Sequence, residues 1–109
     1  MTFDFSAMGD LVRQAQEIQK KVAETQAQLA GRTVSATVGG GMVTAEASGA
    51  GLLTDIRLEK EIINPNEADM LRDLILAAAN EALKRAQDMV AEEMNQITGG
   101  LKLPGLKMP

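Results

Sequence analysis

Residues 33–58 have the sequence TVSATVGGGMVTAEASGAGLLTDIRL, in which apolar and polar residues largely alternate. This period of two is typical of strands with one buried face and one solvated face. Gly39-Gly40-Gly41 and Gly49-Ala50-Gly51 divide the stretch into three segments. We therefore predict a three-stranded antiparallel meander with turns at the two glycine-rich positions. In the third strand the alternation assigns one face to Leu52, Thr54, Ile56 and Leu58, and the other to Leu53, Asp55 and Arg57.

A long helix is predicted before these strands. Apolar or small residues recur there at alternating steps of three and four, as in the contact face of a coiled coil or a helical hairpin. A helix over residues 6–30 would be roughly 37 Å long at 1.5 Å per residue, and Gly31 is a suitable C-terminal stop. The repeating positions are Met8, Leu11, Ala15, Ile18, Val22, Thr25 and Leu29.

A second long helix is predicted after the strands. Asn64-Pro65-Asn66 interrupts the strand pattern, and Asn66 is a good helix cap with Asp69 three residues later. Gly99-Gly100 then ends the helix, so we expect one domain over residues 1–98 and a flexible Gly/Pro/Lys tail over residues 99–109. One side of this helix carries Leu71, Leu74, Ile75, Ala78, Ala82, Ala86, Met89, Val90, Met94 and Ile97.

The predicted class is therefore α+β, with the order α-β-β-β-α. Each helix is longer than the strands, since seven strand residues span only about 23 Å. Both helices should extend past the sheet as arms while still carrying apolar residues such as Met8, Leu11 and Ile97. We expect these arms to pair with each other or with a second subunit, which favours a homodimer.

The composition argues against several functional classes. The chain has no Cys and no His, so thiol nucleophiles, disulfides and the commonest metal ligand are missing. We expect a cytoplasmic protein that is not an enzyme and has no cofactor, metal or small-molecule substrate. No run of apolar residues is long enough to span a membrane. The net charge of −4 means that any nucleic-acid binding must depend on local basic patches.

Several segments together resemble the YbaB/EbfC family of nucleoid-associated proteins. The helix segment from Leu71 to Ala82, LRDLILAAANEA, resembles the family's helix signature, and Met8 to Gln16 resembles its opening stretch. The Val43–Gly49 hairpin, the strand at Ile56 and the Gly-Gly-Leu-x-Leu-Pro-Gly segment from Gly99 to Gly105 also fit. The resemblance implies a tight α-β-β-β-α homodimer with tweezer-like helical arms. It also implies binding to double-stranded DNA with little sequence specificity, and no catalytic residues.

The candidate DNA-binding residues are the basic side chains of the two helices and the tail. Contact with the duplex backbone is the expected mode, because the chain has no Tyr or Trp for base stacking. The alternative is ordinary pairing with acidic neighbours four residues away, such as Glu17 with Lys21 or Glu81 with Arg85. The candidates are Arg13, Lys20, Lys21, Lys84, Arg85 and Lys102.

Other helix residues are candidates for core or dimer packing. Asn80 lies within an alanine-rich run, where it either fixes the register between helices or is a partly exposed polar residue. A second hypothesis for function is an adaptor or chaperone-like dimer whose arms hold a client helix through Leu and Met side chains. The packing candidates are Leu11, Ile18, Val22, Leu74, Ile75, Ala78, Asn80 and Ala82.

Overall fold

The computed structural model describes residues 5–99 and confirms the α-β-β-β-α order. Helix α1 covers Phe5–Ala30, and helix α2 covers Ala68–Gly99. Between them lie strands β1 (Thr33–Val38), β2 (Val43–Ser48) and β3 (Leu53–Leu58). Two short 3₁₀ helices, Lys60–Ile62 and Pro65–Glu67, lead from β3 into α2.

The three strands form one antiparallel sheet in the order β1-β2-β3, as the alternation predicted. Gly39, Gly40 and Gly41 make the first turn with φ values of 64°, 67° and 98°. Residues with side chains rarely adopt such angles, whereas glycine adopts them without a steric penalty. The glycine triplet therefore lets β2 fold back directly onto β1.

The predicted alternation is wrong at the start of β3. The register shifts between Glu46 and Ala47, so that Ala47 lies opposite Leu53 rather than Thr54. This irregularity places Leu53 on the same face as Ile56, while Leu52 lies before the strand. A bulge of this kind adds one residue to one strand and reverses the face of every residue beyond it.

The start of α2 also differs from the prediction. α2 begins at Ala68. Asn64 is the N-cap of the preceding 3₁₀ helix, and its Oδ1 accepts a hydrogen bond from Asn66 N–H at 3.0 Å. Proline at position 65 favours the tight 3₁₀ turn, which Glu67 N–H closes by donating to Asn64 O at 2.9 Å. The Asn-Pro-Asn segment thus forms a short helix of its own instead of capping α2 directly.

The core lies between the inner face of the sheet and α2. α2 packs mainly across β1 and β2 and touches β3 much less. Because most of its buried side chains are alanines, α2 lies close to the sheet, and Val43 is the largest fully buried side chain among the described residues. The buried core cluster consists of Ala36, Val43, Ala45, Ala47, Ile62, Ala78, Ala82 and Ala86.

α1 makes few contacts with α2. Leu29 is buried, Val22 and Ile18 are half-buried, and every described side chain from residue 6 to residue 17 is exposed. Arg32 Nη1 lies 3.6 Å from Glu93 Oε1, which places the end of α1 beside the last turns of α2. Residues 68–93 of α2 and the whole of α1, laid end to end, would measure roughly 77 Å, close to the observed length of 78 Å. The two helices therefore overlap only briefly, and the first half of α1 extends as a free arm.

Candidate nucleic-acid interface

Two of the predicted basic residues share the solvent face of α1. Arg13 and Lys20 are seven residues apart, which is about two turns. At 100° per residue, this face lies opposite the one that carries Ile18, Val22 and Leu29. Lys21 projects to one side of it, and all three basic side chains are exposed. α1 thus directs its positive charge away from α2.

The side chains of the adjacent residues Lys84 and Arg85 point in different directions. Arg85 Nη1 donates to the backbone carbonyl of Ser35 at 3.0 Å, and its Nε lies 3.4 Å from Glu81 Oε1. Lys84 is one position further round α2, on the side opposite Ala82, and is exposed. The guanidinium is therefore held at the edge of β1, whereas the ammonium group faces solvent.

The structure does not join these groups into one continuous stripe within a single chain. Lys84 is nine residues before Glu93, and Lys20 is ten residues before the end of α1. With the helices arranged almost end to end, Lys20 and Lys84 are separated by roughly 28 Å along the long axis. The predicted Lys102 lies outside the described residues.

The basic side chains also differ in whether they form an ion pair with a carboxylate. Within residues 5–99, each of the five arginines pairs with a carboxylate, whereas the four lysines form no ion pair. The pair of Arg13 with Asp10 is long, at 3.8 Å, and both side chains are about 70% exposed. Such exposed pairs contribute only about 0–1 kcal/mol, so a phosphate could displace the carboxylate. The unpaired lysines are Lys20, Lys21, Lys60 and Lys84.

Three further arginines and Lys60 were not among the predicted DNA-binding residues. Arg32 bridges to α2, Arg57 pairs with Asp55 on β3 at 3.0 Å, and Arg72 lies between Asp69 and Asp73. The sequence carries a signal for the last two, because each has an acidic residue within three positions. Arg32 and Glu93 are far apart in the sequence, so no local pattern predicts that they form an ion pair.

The predicted packing residues fall into three groups. Ala78 and Ala82 are buried under the sheet, and Leu74 and Ile75 are half-buried against this core. Leu11, at 64% exposed, and Asn80 face solvent in the single chain. The half-buried residues are Ile18, Val22, Leu74 and Ile75.

An apolar groove lies where α2 leaves β3 uncovered. It has a volume of about 470 Å³ and is open to solvent. Leu53 and Ile56 form its β3 side, and Leu71, Ile75 and Leu76 form its α2 side. Ile56 is 39% exposed and Leu76 is 58% exposed. These side chains offer apolar surface and no group that could act as an acid, a base or a nucleophile.

Within residues 5–99, no group of three or more acidic side chains is arranged to hold a metal ion. Neither helix combines the length and apolarity needed to cross a bilayer.

Comparison with known proteins gives consistent matches. The model of a family described as the YbaB/EbfC DNA-binding family matches residues 5–101. A nucleoid-associated protein of Clostridium acetobutylicum is 44% identical over 99 residues, covering 91% of this chain and 88% of the relative. One from Pelotomaculum thermopropionicum is also 44% identical over 99 residues, covering 91% and 94%. The crystal structure of an uncharacterised Helicobacter pylori protein shares the fold, with a TM-score of 0.68 at 21% identity, over 90% of this chain and all of that one.

Proposed function

This chain belongs to the YbaB/EbfC DNA-binding family, and we propose that it binds double-stranded DNA as a homodimer, mainly through the phosphate backbone. The observation that carries the proposal is the solvent face of α1, where Arg13 and Lys20 align with Lys21 beside them. Lys84 adds a further unpaired cation on α2. The relatives' description as nucleoid-associated supports a place in the bacterial nucleoid.

Local charge explains how an acidic chain can bind a polyanion. Lysines without acidic partners give up no ion pair when they approach a phosphate, and each phosphate that they neutralise releases condensed counterions. A homodimer would present every such cation twice. The acidic residues on other surfaces lower the overall attraction, so binding should be strongest at low ionic strength.

The side chains on these faces favour weak base readout. Phosphate contacts fix the position of a protein on the duplex but carry no direct sequence information. Lysine is a flexible point charge without the planar fork that arginine presents to guanine. Arg85, which has that fork, is held by Ser35 and Glu81.

Two features support a homodimer. The groove beside β3 exposes aliphatic side chains that a partner would cover, and the core of one chain is built largely from alanines. A domain of this size buries only about 60–65% of its unfolded surface. A second copy would therefore add apolar surface burial that one chain lacks.

Titration of a fluorescently labelled duplex at several salt concentrations tests the proposal. We expect tight binding at low salt, similar affinity for unrelated sequences, and a steep linear fall of log K with log salt. The double variant K20A/K21A should weaken binding at least tenfold and reduce the slope by roughly 0.9 for each phosphate that the variant no longer neutralises. K60A removes an unpaired lysine outside the arms and serves as the matched control. Absence of binding at the lowest ionic strength would show that the proposed function is wrong.

The free arm favours one second candidate, an adaptor that holds a client protein. Met8, Leu11 and Val12 are 45%, 64% and 54% exposed on the first half of α1. A client helix could cover these side chains with its own apolar face. A protein that co-purifies after complete nuclease digestion, and no longer does so with the L11S variant, would favour this candidate.

A further inference from the structure

β1 lies at an edge of the sheet and has unpaired backbone groups on its outer side. Gly49 N–H donates to Arg32 O at 3.0 Å, and hydrogen-bonded positions alternate along an antiparallel pair. Thr33, Ser35 and Thr37 therefore direct their N–H and C=O groups away from β2. No other strand in the described part of the chain lies on that side. Such a row of donors and acceptors can pair with a strand of another molecule.

The sequence of β1 contains nothing that would hinder this pairing. Thr33–Val38, with the sequence TVSATV, has four β-branched residues and neither a charged residue nor a proline. Short segments with high β propensity and low charge are the ones that associate edge to edge. Arg32 directly precedes the strand, but its Nη1 lies 3.6 Å from Glu93 Oε1 of α2. β3, by contrast, carries Asp55 and Arg57 within the strand. The protection of β1 must therefore come from another element.

Arg85 of α2 covers the middle of this edge. Its Nη1 donates to Ser35 O at 3.0 Å, and its Nε lies 3.4 Å from Glu81 Oε1. Ser35 is the central one of the three residues that face outward, so the guanidinium occupies a carbonyl that an added strand would need. The Arg85 side chain is 54% exposed. An incoming strand would have to break both contacts and bury or displace a hydrated cation, which is costly.

We propose that Arg85 is the residue that keeps this edge unpaired, and that without its side chain β1 accepts the β1 strand of another molecule. A charged side chain placed along a strand edge is one of the ways in which proteins prevent such pairing. The protection does not depend on the proposed homodimer, because a single chain contains the whole edge and Arg85 as well. In a homodimer two such edges would be present, and pairing through them would produce assemblies larger than a dimer.

Sedimentation velocity at several protein concentrations tests the proposal. The R85A variant should form species larger than the unmodified protein does. The concentration at which half of the protein is in these species should fall about tenfold, the factor that corresponds to one charge-assisted hydrogen bond. K84A removes the adjacent exposed lysine, which has no bond to β1, and should sediment like the unmodified protein. An unchanged size distribution in R85A, or equal association of K84A, would overturn the proposal.

A rescue variant separates edge pairing from a general loss of stability. Ser35 is exposed, and the variant S35K would place a positive charge in the strand itself, as natural edge strands often do. This lysine does not restore the contact between α2 and β1 that R85A removes. A protein that associates only because it is less stable would therefore still associate. R85A/S35K should return to the size of the unmodified protein, and failure of this rescue would show that the association does not involve β1.

Backbone hydrogen exchange locates the pairing within the chain. The N–H groups of Thr33, Ser35 and Thr37 face outward, so they should exchange quickly in the unmodified protein and in K84A. In the R85A assemblies the same three groups should exchange at least tenfold more slowly, because they would bond to the added strand. The N–H groups of β1 that bond to β2 should be slow in both proteins. Equally fast exchange of the three outward groups in the R85A assemblies would contradict the proposed pairing.

Discussion

Gly49 lies in the turn between β2 and β3, directly against the carboxyl end of α1. A Cβ atom at this position would collide with the backbone carbonyl of Leu29, which cannot move without shifting the helix. We expect G49A to lower the free energy of unfolding by about 2–3 kcal/mol, measured by urea denaturation. G9A is the control, because a Cβ there meets nothing within 4 Å. It should stabilise α1 by about 0.5–1 kcal/mol, and equal destabilisation by both variants would contradict the steric explanation.

The adjacent residues Lys84 and Arg85 should give opposite phenotypes. R85Q removes the bond to Ser35 O and should cost about 1 kcal/mol of stability, with little change in the salt dependence of DNA binding. K84Q removes an unpaired surface cation. It should leave stability within about 0.5 kcal/mol and reduce the salt slope by about 1.8 for the two copies in a dimer. Denaturation and duplex titration of both variants measure the contrast, and an equal decrease of slope in R85Q would show that Arg85 also contacts phosphate.

α1 should be stable near its carboxyl end and weakly stable near its amino end. Leu29 is 2% exposed while Leu11 is 64% exposed, although both occupy the same helical repeat. L29A should cost about 3 kcal/mol, and L11A less than about 0.5 kcal/mol. Amide hydrogen exchange should likewise be slow from Ile18 to Leu29 and fast before Ala15, since segments with few buried side chains open locally. Uniform protection along α1 would show instead that a partner covers the arm.

The contrast between Leu11 and Leu29 shows which properties of α1 can be predicted from the sequence and which cannot. The three-four repeat identifies α1 as an amphipathic helix, and the period of two identifies the meander, because both patterns are local consequences of backbone geometry. Neither pattern predicts which part of an apolar face packs against another element of the fold. That depends on where α2 ends relative to α1, which is a property of the whole fold.

The bulge before Ala47 and the candidate interface illustrate the same limit. The extra residue is Thr54 of β3, and a threonine between Leu53 and Asp55 does not mark a bulge in the sequence. The alternation alone therefore assigns Leu53 to the wrong face and begins the third strand one residue too early. The basic residues could be predicted from the helix pattern, but the engagement of Arg85 could not. Its acceptor, Ser35, is 50 residues away along the chain, and only the crossing of α2 over β1 brings the two together.

The folded chain is long and thin, with extents of 78 × 25 × 16 Å. Its radius of gyration is 21.3 Å, compared with about 13 Å for a compact domain of 100 residues. Such a shape leaves much apolar surface uncovered, including the groove beside β3. The folded state of one copy should therefore depend on association, which makes its stability a function of protein concentration.

Thermal unfolding at several concentrations tests this dependence. For an obligate dimer, a hundredfold rise in concentration is worth about 2.7 kcal/mol per dimer, so Tm should rise by about 5–10 °C for subunits of this size. Differential scanning calorimetry measures this trend. A Tm that stays constant over the whole concentration range would mean that one chain folds stably alone, which would contradict the proposed homodimer.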